Sequence, residues 1–246
     1  MRDSLADAFI MPKWPVPSNV HAIQTTRLGG VSGVPYDHLN LGAHVKDNPQ
    51  HVASNRALLN AFVPREPTWL NQVHGVRVID AAVSGSKEDA DASFTTEKNV
   101  VCVTLTADCL PVLLCDKAGT AVAAVHAGWR SLCDGVIEEA VKAMPVSAGD
   151  IVAWLGPAIG PAAFEVGGEV RQQFIDKDSQ AENAFKPAGD KWLGNLYQIA
   201  KQRLSVLGVM GVYGEVLCTY SNPDQFFSYR RDKNTGRMAT MIWLAA

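Results

Sequence analysis

Hydrophobic positions along the chain fall into short dense blocks separated by polar or glycine- and proline-bearing stretches. Most blocks are too short for helices and too continuous for half-exposed strands, the signature of strands buried on both faces. Val20–Arg27, Arg77–Ala82, Asn99–Thr106, Asp150–Leu155, Val212–Cys218 and Met238–Leu244 read as strands. Pro111–Asp116 and Thr120–Val125 read as a hairpin turning at Lys117–Gly119. Apolar residues at helical spacing predict helices over Gln50–Phe62, Asp134–Met144 with Asp134 as N-cap and Pro145 as stop, Gly168–Asp176, and Leu193–Leu207 closed by Gly208. Strands that come in groups as well as between helices predict an α/β (α+β) fold with mixed sheets, two of them packed together with helices outside.

The chain has 246 residues, 47% hydrophobic and 19% charged, an ordinary globular composition. No repeat or linker divides it, so one domain over residues 1–246 is expected, with the N-terminal ~18 residues peripheral. A net charge of −3 gives no reason to expect nucleic acid or a membrane surface as partner. No apolar run approaches the roughly 20 residues of a membrane span. The acids and prolines of the N-terminus make a poor signal peptide, and five scattered cysteines make a poor disulfide framework, so a cytoplasmic location is expected. No GxGxxG or GxxxxGK[ST] follows a strand, which removes the common nucleotide-binding loops.

Three strand ends offer nitrogen or sulfur donors: His74 in NQVHG, Asp108 and Cys109 in TADCLP, and His126 in AVHAGWRS. Two imidazoles and a thiolate suit zinc, and three protein ligands leave the open position of a catalytic site. Copper is the other metal these donors accept. Each residue also has a plainer reading: a buried cysteine is usually a small hydrophobe, as expected for Cys102 and Cys115, and a histidine at a strand end is usually a hydrogen-bonded structural group. Cys109 as a thiolate nucleophile with His126 as its base is a further possibility.

The loop TTRLGGVSGVPYDHLNLG carries Arg27, Gly29, Gly30, Gly33, Ser32 and Asn40. Glycine amides and a guanidinium suit a phosphate or carboxylate, so Arg27 is a candidate for binding phosphate and Asn40 for binding a substrate hydroxyl; a plain turn-rich loop is the equal alternative. Arg230, Arg231 and Arg237 in SYRRDKNTGRM could face an anion or simply solvate a turn. LGPAIGPAAFEVG reads as a rigid loop able to wall a pocket. In AVHAGWRS, Gly128 is expected to permit a sharp turn, Trp129 to pack under the loop and Arg130 to brace the loop or a carboxylate.

Taken together, TTRLGGVSG, LNLGAHVKDNPQHVASNR, LNQVHG, DASFT, TADCLPVLLCD, AVHAGWRS, LGPAIGPAAFEVG and CTYSNPDQFFSYRRDKNTGRMA resemble one family. It is the polyphenol oxidase / purine nucleoside phosphorylase family, whose domain carries a multicopper laccase-like name and which is also described as peptidoglycan editing factor. The resemblance implies a four-layer α-β-β-α sandwich and a metal on His74, Cys109 and His126. It also implies cytosolic enzymes that phosphorolyse adenosine, inosine, guanosine and methylthioadenosine and deaminate adenosine. The partners so implied are a small purine nucleoside and phosphate. Asp108 is then a candidate for moving a proton or orienting a ligand. Ser131 departs from the glycine common in the family after HAGWR. The laccase name fits poorly, because several coppers need more clustered histidines than the six present here. The alternatives are a cysteine-dependent hydrolase editing peptidoglycan precursors, a copper polyphenol oxidase, and a non-catalytic binding protein.

Overall fold

The computed structural model describes residues 8–246, so residues 1–7 lie outside it. Its centre is a six-stranded mixed sheet in the order β12-β8-β6-β7-β4-β3. The strands are β3 (Val78–Asp80), β4 (Ala92–Thr95), β6 (Leu110–Asp116), β7 (Val122–Ala127), β8 (Ile151–Leu155) and β12 (Gly211–Tyr213). A four-stranded antiparallel sheet, β1 (Phe9–Ile10), β2 (Val20–Thr25), β13 (Met238–Leu244) and β5 (Val101–Thr106), runs in the order β1-β2-β13-β5.

Alternate residues of the two sheets face each other. Ala22, Cys102 and Ile242 from the smaller sheet meet Leu113, Ala124 and Trp154 from the larger. The outer face of the larger sheet is covered by α3 (Val136–Ala143), α4 (Gly168–Lys177) and α5 (Leu196–Val206). The outer face of the smaller sheet is covered by α1 (Pro49–Leu59), which packs Leu59 near Val103 and Met241. The fold is therefore α+β, with two sheets packed between outer helices. Every residue of β5, β6, β7 and β13 is buried, which accounts for their continuous apolar runs. No helix among the described residues is long and apolar enough to cross a membrane.

Several expectations need correction. The helix expected over Asp134–Met144 is two: α2 (Trp129–Asp134) ends at Gly135, whose φ of 103° only glycine adopts readily, and α3 begins after it. Asp134 therefore closes one helix rather than capping the next. The strand expected over Val212–Cys218 stops at Tyr213, because Gly214 turns at φ 102° against the Leu155 carbonyl. Residues 191–194 belong to strand β11 rather than to α5. That strand pairs with β9 (Glu165–Val166) and β10 (Phe185–Ala188) in a small third sheet. Asn195 then caps α5 through its side chain. The described part of the N-terminus is not peripheral: Ala8 is buried, Phe9 packs edge-on against Phe62, and Trp14 and Val16 lie on the inter-sheet core.

Strand register gathers chemistry at one end of the sheets. Pro111 lies opposite His126 and Leu110 opposite Ala127, so Cys109 arrives beside the end of β7. Ala92 lies opposite Val125, which brings Asp91 level with His126, and the His126 amide donates to the Asp91 carbonyl at 2.7 Å. Val78 lies opposite Ala92, so the loop before β3, with His74, returns to the same end. Met238 lies opposite Thr106, which places Arg237 there as well.

Candidate active site

His74, Cys109 and His126 offer one ligand atom each, all within 4.8 Å of one another. His74 Nε2 is 3.9 Å from Cys109 Sγ, and the two imidazoles meet edge to face at 4.9 Å. Gly128 makes this approach possible. A methyl group there would lie 2.9 Å from His74 Cδ2 and 3.0 Å from Cys109 Sγ. The backbone is at φ −60° and ψ 157°, open to any residue, so the glycine supplies room and not the sharp turn expected of it.

Asp91 holds two of the three donors in place. Its fully buried carboxylate accepts from the backbone N–H groups of Val73 (3.2 Å), His74 (3.0 Å) and Gly75 (2.6 Å), and it lies 2.8 Å from His126 Nδ1. The first three bonds fix the loop that carries His74, whose own φ is 59°. The fourth directs the His126 Nδ1 proton to the carboxylate and leaves Nε2 free to ligate. Burial opposes ionisation of Asp91, but the hydrogen bonds from His126, Gly75 and His74 outweigh it and hold its pKa below the usual carboxylate range. Burial likewise opposes a Cys109 thiolate. The charge of His126, with hydrogen bonds from His126 and His74, overcomes this and brings Cys109 down to about 6. His126 is pushed the other way, up to about 9, by Cys109 and Asp91 against its own burial. The donor set thus favours a thiolate without any help from a metal, and its soft and borderline donors, room and open side fit a zinc-type cation.

The three donors sit in the wall of a cleft of about 530 Å³, a size suited to a small organic molecule. Ile159 and Phe164 of the LGPAIGPAAFEVG segment form part of the wall. The buried Tyr197 hydroxyl fastens that segment, donating to Gly156 O and accepting from the Ala158 amide, each at 2.9 Å. Trp129 also lines the cleft with one side on the core, and the Arg130 guanidinium lies 4.8 Å from its ring centroid. Arg130 stacks on its neighbour and braces no carboxylate among the described residues.

Asp108 lines the cleft at φ 88°, but its carboxylate is engaged: Thr219 Oγ1 donates to Oδ1 at 2.6 Å and the Arg230 amide to Oδ2 at 2.6 Å. It orients the segment that carries Arg230. Arg27 and Asn40 are not brought to the cleft. The Arg27 guanidinium binds Asp37 O, Asp37 Oδ2 and Pro223 O and lies over Phe227. Buried Asn40 bonds Asp47 and receives the amides of Gly42 and Arg237. Asn55 closes the glycine-rich loop from within, accepting from Val31 N and donating to Ser32 Oγ, His38 O and Asn40 O. This loop is a knot of internal bonds with no anion grip. Arg230 and Arg237 do reach the cleft. Arg231 is spent on the carbonyls of Thr219, Tyr220 and Phe226 and on Asp232. Sequence reasoning missed Asp91, His44 and Lys233. Asp91 stands in an acidic stretch that does not distinguish it from Asp89.

An α+β sandwich whose cleft holds two histidines and a cysteine able to take a metal defines a class of proteins with a candidate metal centre, and the family comparison points the same way. Residues 21–245 match the family described as multi-copper polyphenol oxidoreductase laccase, and the chain belongs to that family. It is 54% identical over 238 residues to a protein of Escherichia coli strain K12 named purine nucleoside phosphorylase YfiH, covering 96% of this chain and 98% of that one. A Haemophilus influenzae protein named purine nucleoside phosphorylase is 52% identical over 239 residues, covering 95% and 98%. The crystal structure of Neisseria meningitidis protein NMB0706 superposes with a TM-score of 0.93 at 48% identity, covering 97% of this chain and all of that one.

Proposed function

We propose that this chain is a metal-dependent purine nucleoside phosphorylase that also deaminates adenosine, with zinc held by His74, Cys109 and His126. The observation that carries the reading is the preformed three-donor set in the wall of a cleft that also holds aromatic rings and guanidinium groups. The names of the Escherichia coli and Haemophilus influenzae relatives supply the reaction. When bound, zinc supplies Lewis acidity at the cleft wall. Phe164, Trp129 and Tyr229 offer apolar faces for the purine. Arg130 and Arg230 bring positive charge to the space where the phosphate and the leaving base carry negative charge. Asp91 keeps two ligands aligned, and Asp108 keeps the Arg230 segment in place.

Incubation with adenosine, inosine, guanosine and methylthioadenosine, with and without phosphate, tests the assignment. Free base and ribose 1-phosphate (the methylthio sugar phosphate from methylthioadenosine) should require phosphate, while inosine should form from adenosine without it. Absence of all these products sinks the assignment. His74→Ala, Cys109→Ala and His126→Ala should each abolish turnover and metal binding with the fold retained, and Cys102→Ala should not.

A second reading has one specific observation behind it: the depressed Cys109 thiol beside the elevated His126 is also the pairing of a cysteine nucleophile and its base. It supports a cysteine-dependent hydrolase. Metal-free protein that retains activity and loses it on thiol alkylation would favour this reading over the first.

A further inference from the structure

Next to the main cleft lies a smaller cavity of about 180 Å³. His44, Tyr229, Lys233 and Arg237 line both, so the two spaces share a wall. The smaller one adds Lys46, and no acidic side chain lines it. Three cations and a histidine around one small cavity are unexpected in a chain of net charge −3. They are also uncompensated: none of His44, Lys46, Lys233 and Arg237 forms an ion pair with a carboxylate among the described residues.

Arg237 is built into place. Its backbone amide donates to Asn40 Oδ1, and its Nη1 donates to Thr235 O and Gly236 O at 3.0 and 2.9 Å. Gly42 leaves room for its stem, since a methyl there would lie 2.8 Å from Arg237 Cγ. These contacts orient a largely enclosed guanidinium and leave its charge unpaired. Lys233 Nζ and Arg237 Cζ lie 5.6 and 5.9 Å from the same Tyr229 ring centroid. Lys46 and Lys233 both hold a positive φ, at 64° and 61°, which L side chains adopt at a cost. Burial first, then Arg237, Arg56 and the two site histidines, push the pKa of His44 down, so His44 meets the pocket as a neutral hydrogen-bonding imidazole near pH 7. Three unpaired cations, two exposed lysines and the partly buried Arg237, around a concave space with a hydrogen-bonding imidazole are complementary to a compact polyanion.

We propose that this side pocket is a phosphate-binding subsite, formed by His44, Lys46, Lys233 and Arg237, that delivers a phosphate group to the edge of the main cleft. The choice of phosphate among anions rests on the phosphorolysis reading; the charge of the pocket does not. The ligand is inorganic phosphate or the phosphoryl group of a nucleotide.

The test is calorimetric titration of the zinc-loaded full chain with inorganic phosphate, adenosine and adenosine 5′-monophosphate, on the wild type, Lys46→Gln/Lys233→Gln and Arg237→Gln. Both lysines are exposed, and thermal melts report whether each variant is folded. Loss of a charged hydrogen-bond partner should weaken binding about tenfold or more. Phosphate binding weakened in both variants, with adenosine binding unchanged in the double-lysine variant, supports the subsite with inorganic phosphate as ligand. Tighter binding of the monophosphate than of adenosine, lost in the variants, supports it with a phosphoryl ester as ligand. Wild-type protein indifferent to both forms of phosphate, or a folded double-lysine variant that binds them as the wild type does, overturns it. Phosphate binding that persists and depends on these residues without any nucleoside turnover would remove the phosphorylase reading and keep the subsite. Phosphorolysis with an unchanged KM for phosphate in the double-lysine variant would keep the reading and remove the subsite.

Discussion

Gly128 and Asp91 show how single residues decide whether a donor set exists. Gly128→Ala places a methyl within 3.0 Å of both His74 and Cys109, so one of them must move. Displacing a reacting group by about 1 Å can cost up to about a hundredfold in turnover. Zinc titration with a competing chromophoric chelator should show weakened affinity in this variant at nearly unchanged thermal stability. Asp91→Asn acts from the second layer: the shape persists, but an amide cannot accept from three backbone N–H groups and an imidazole as the carboxylate does. Metal affinity should fall about 10–100-fold. Stability should change with it in a pH-dependent way. Because the folded pKa of Asp91 lies below its unfolded value near 4, its contribution is fully present above about pH 4 and lost as pH falls through the folded value. Melting midpoints followed from about pH 7 to 2 should converge for wild type and Asp91→Asn at the acid end; parallel curves would show that the carboxylate does not act this way.

Among elements, those most legible in the sequence are the ones buried on both sides. Met238–Leu244 reads directly as a strand, and the β6–β7 hairpin is recovered to within two residues at each end, because these segments carry unbroken apolar runs. The third sheet was not legible: FKPAGDKWLG is short, polar and interrupted by proline and glycine, and its pairing partner Glu165–Val166 lies twenty residues upstream of it. The donors His74, Cys109 and His126 stood out because each is a reactive side chain at an abrupt end of an apolar block. Asp91 did not, since its role arises only when β4, β7 and the loop before β3 meet. Arg27 was misread for a related reason. A guanidinium beside glycines has the composition of an anion loop, yet here the loop folds onto its own guanidinium. Arg27→Ala should therefore act on stability, costing about 1–3 kcal/mol, while the KM for phosphate stays within about twofold of wild type. A large rise in that KM at unchanged stability would restore the role expected from sequence.

At the scale of the molecule, the cleft draws on residues from 44 to 237, so it exists only in the folded chain. A metal that binds only the folded state stabilises it by mass action, by about 2.7 kcal/mol at a hundredfold excess over Kd. For a chain of this size that corresponds to a rise in Tm of roughly 5–10 °C. Among the described residues only His74, Cys109 and His126 form a group of three metal-type donors, so one zinc per chain is expected on elemental analysis. Several coppers per chain, or a Tm indifferent to zinc and chelator, would contradict this.

The bonds around Asp91 also give the protein a built-in reporter. The amide protons of Val73, His74 and Gly75 all point at the one carboxylate that steadies His126. A cation drawing on both imidazoles would tighten that shared anchor from two sides. Deuterium uptake at these three amides should then slow on metal loading, together with that of the His126 amide on the facing strand, so that occupancy of the centre could be followed without a substrate.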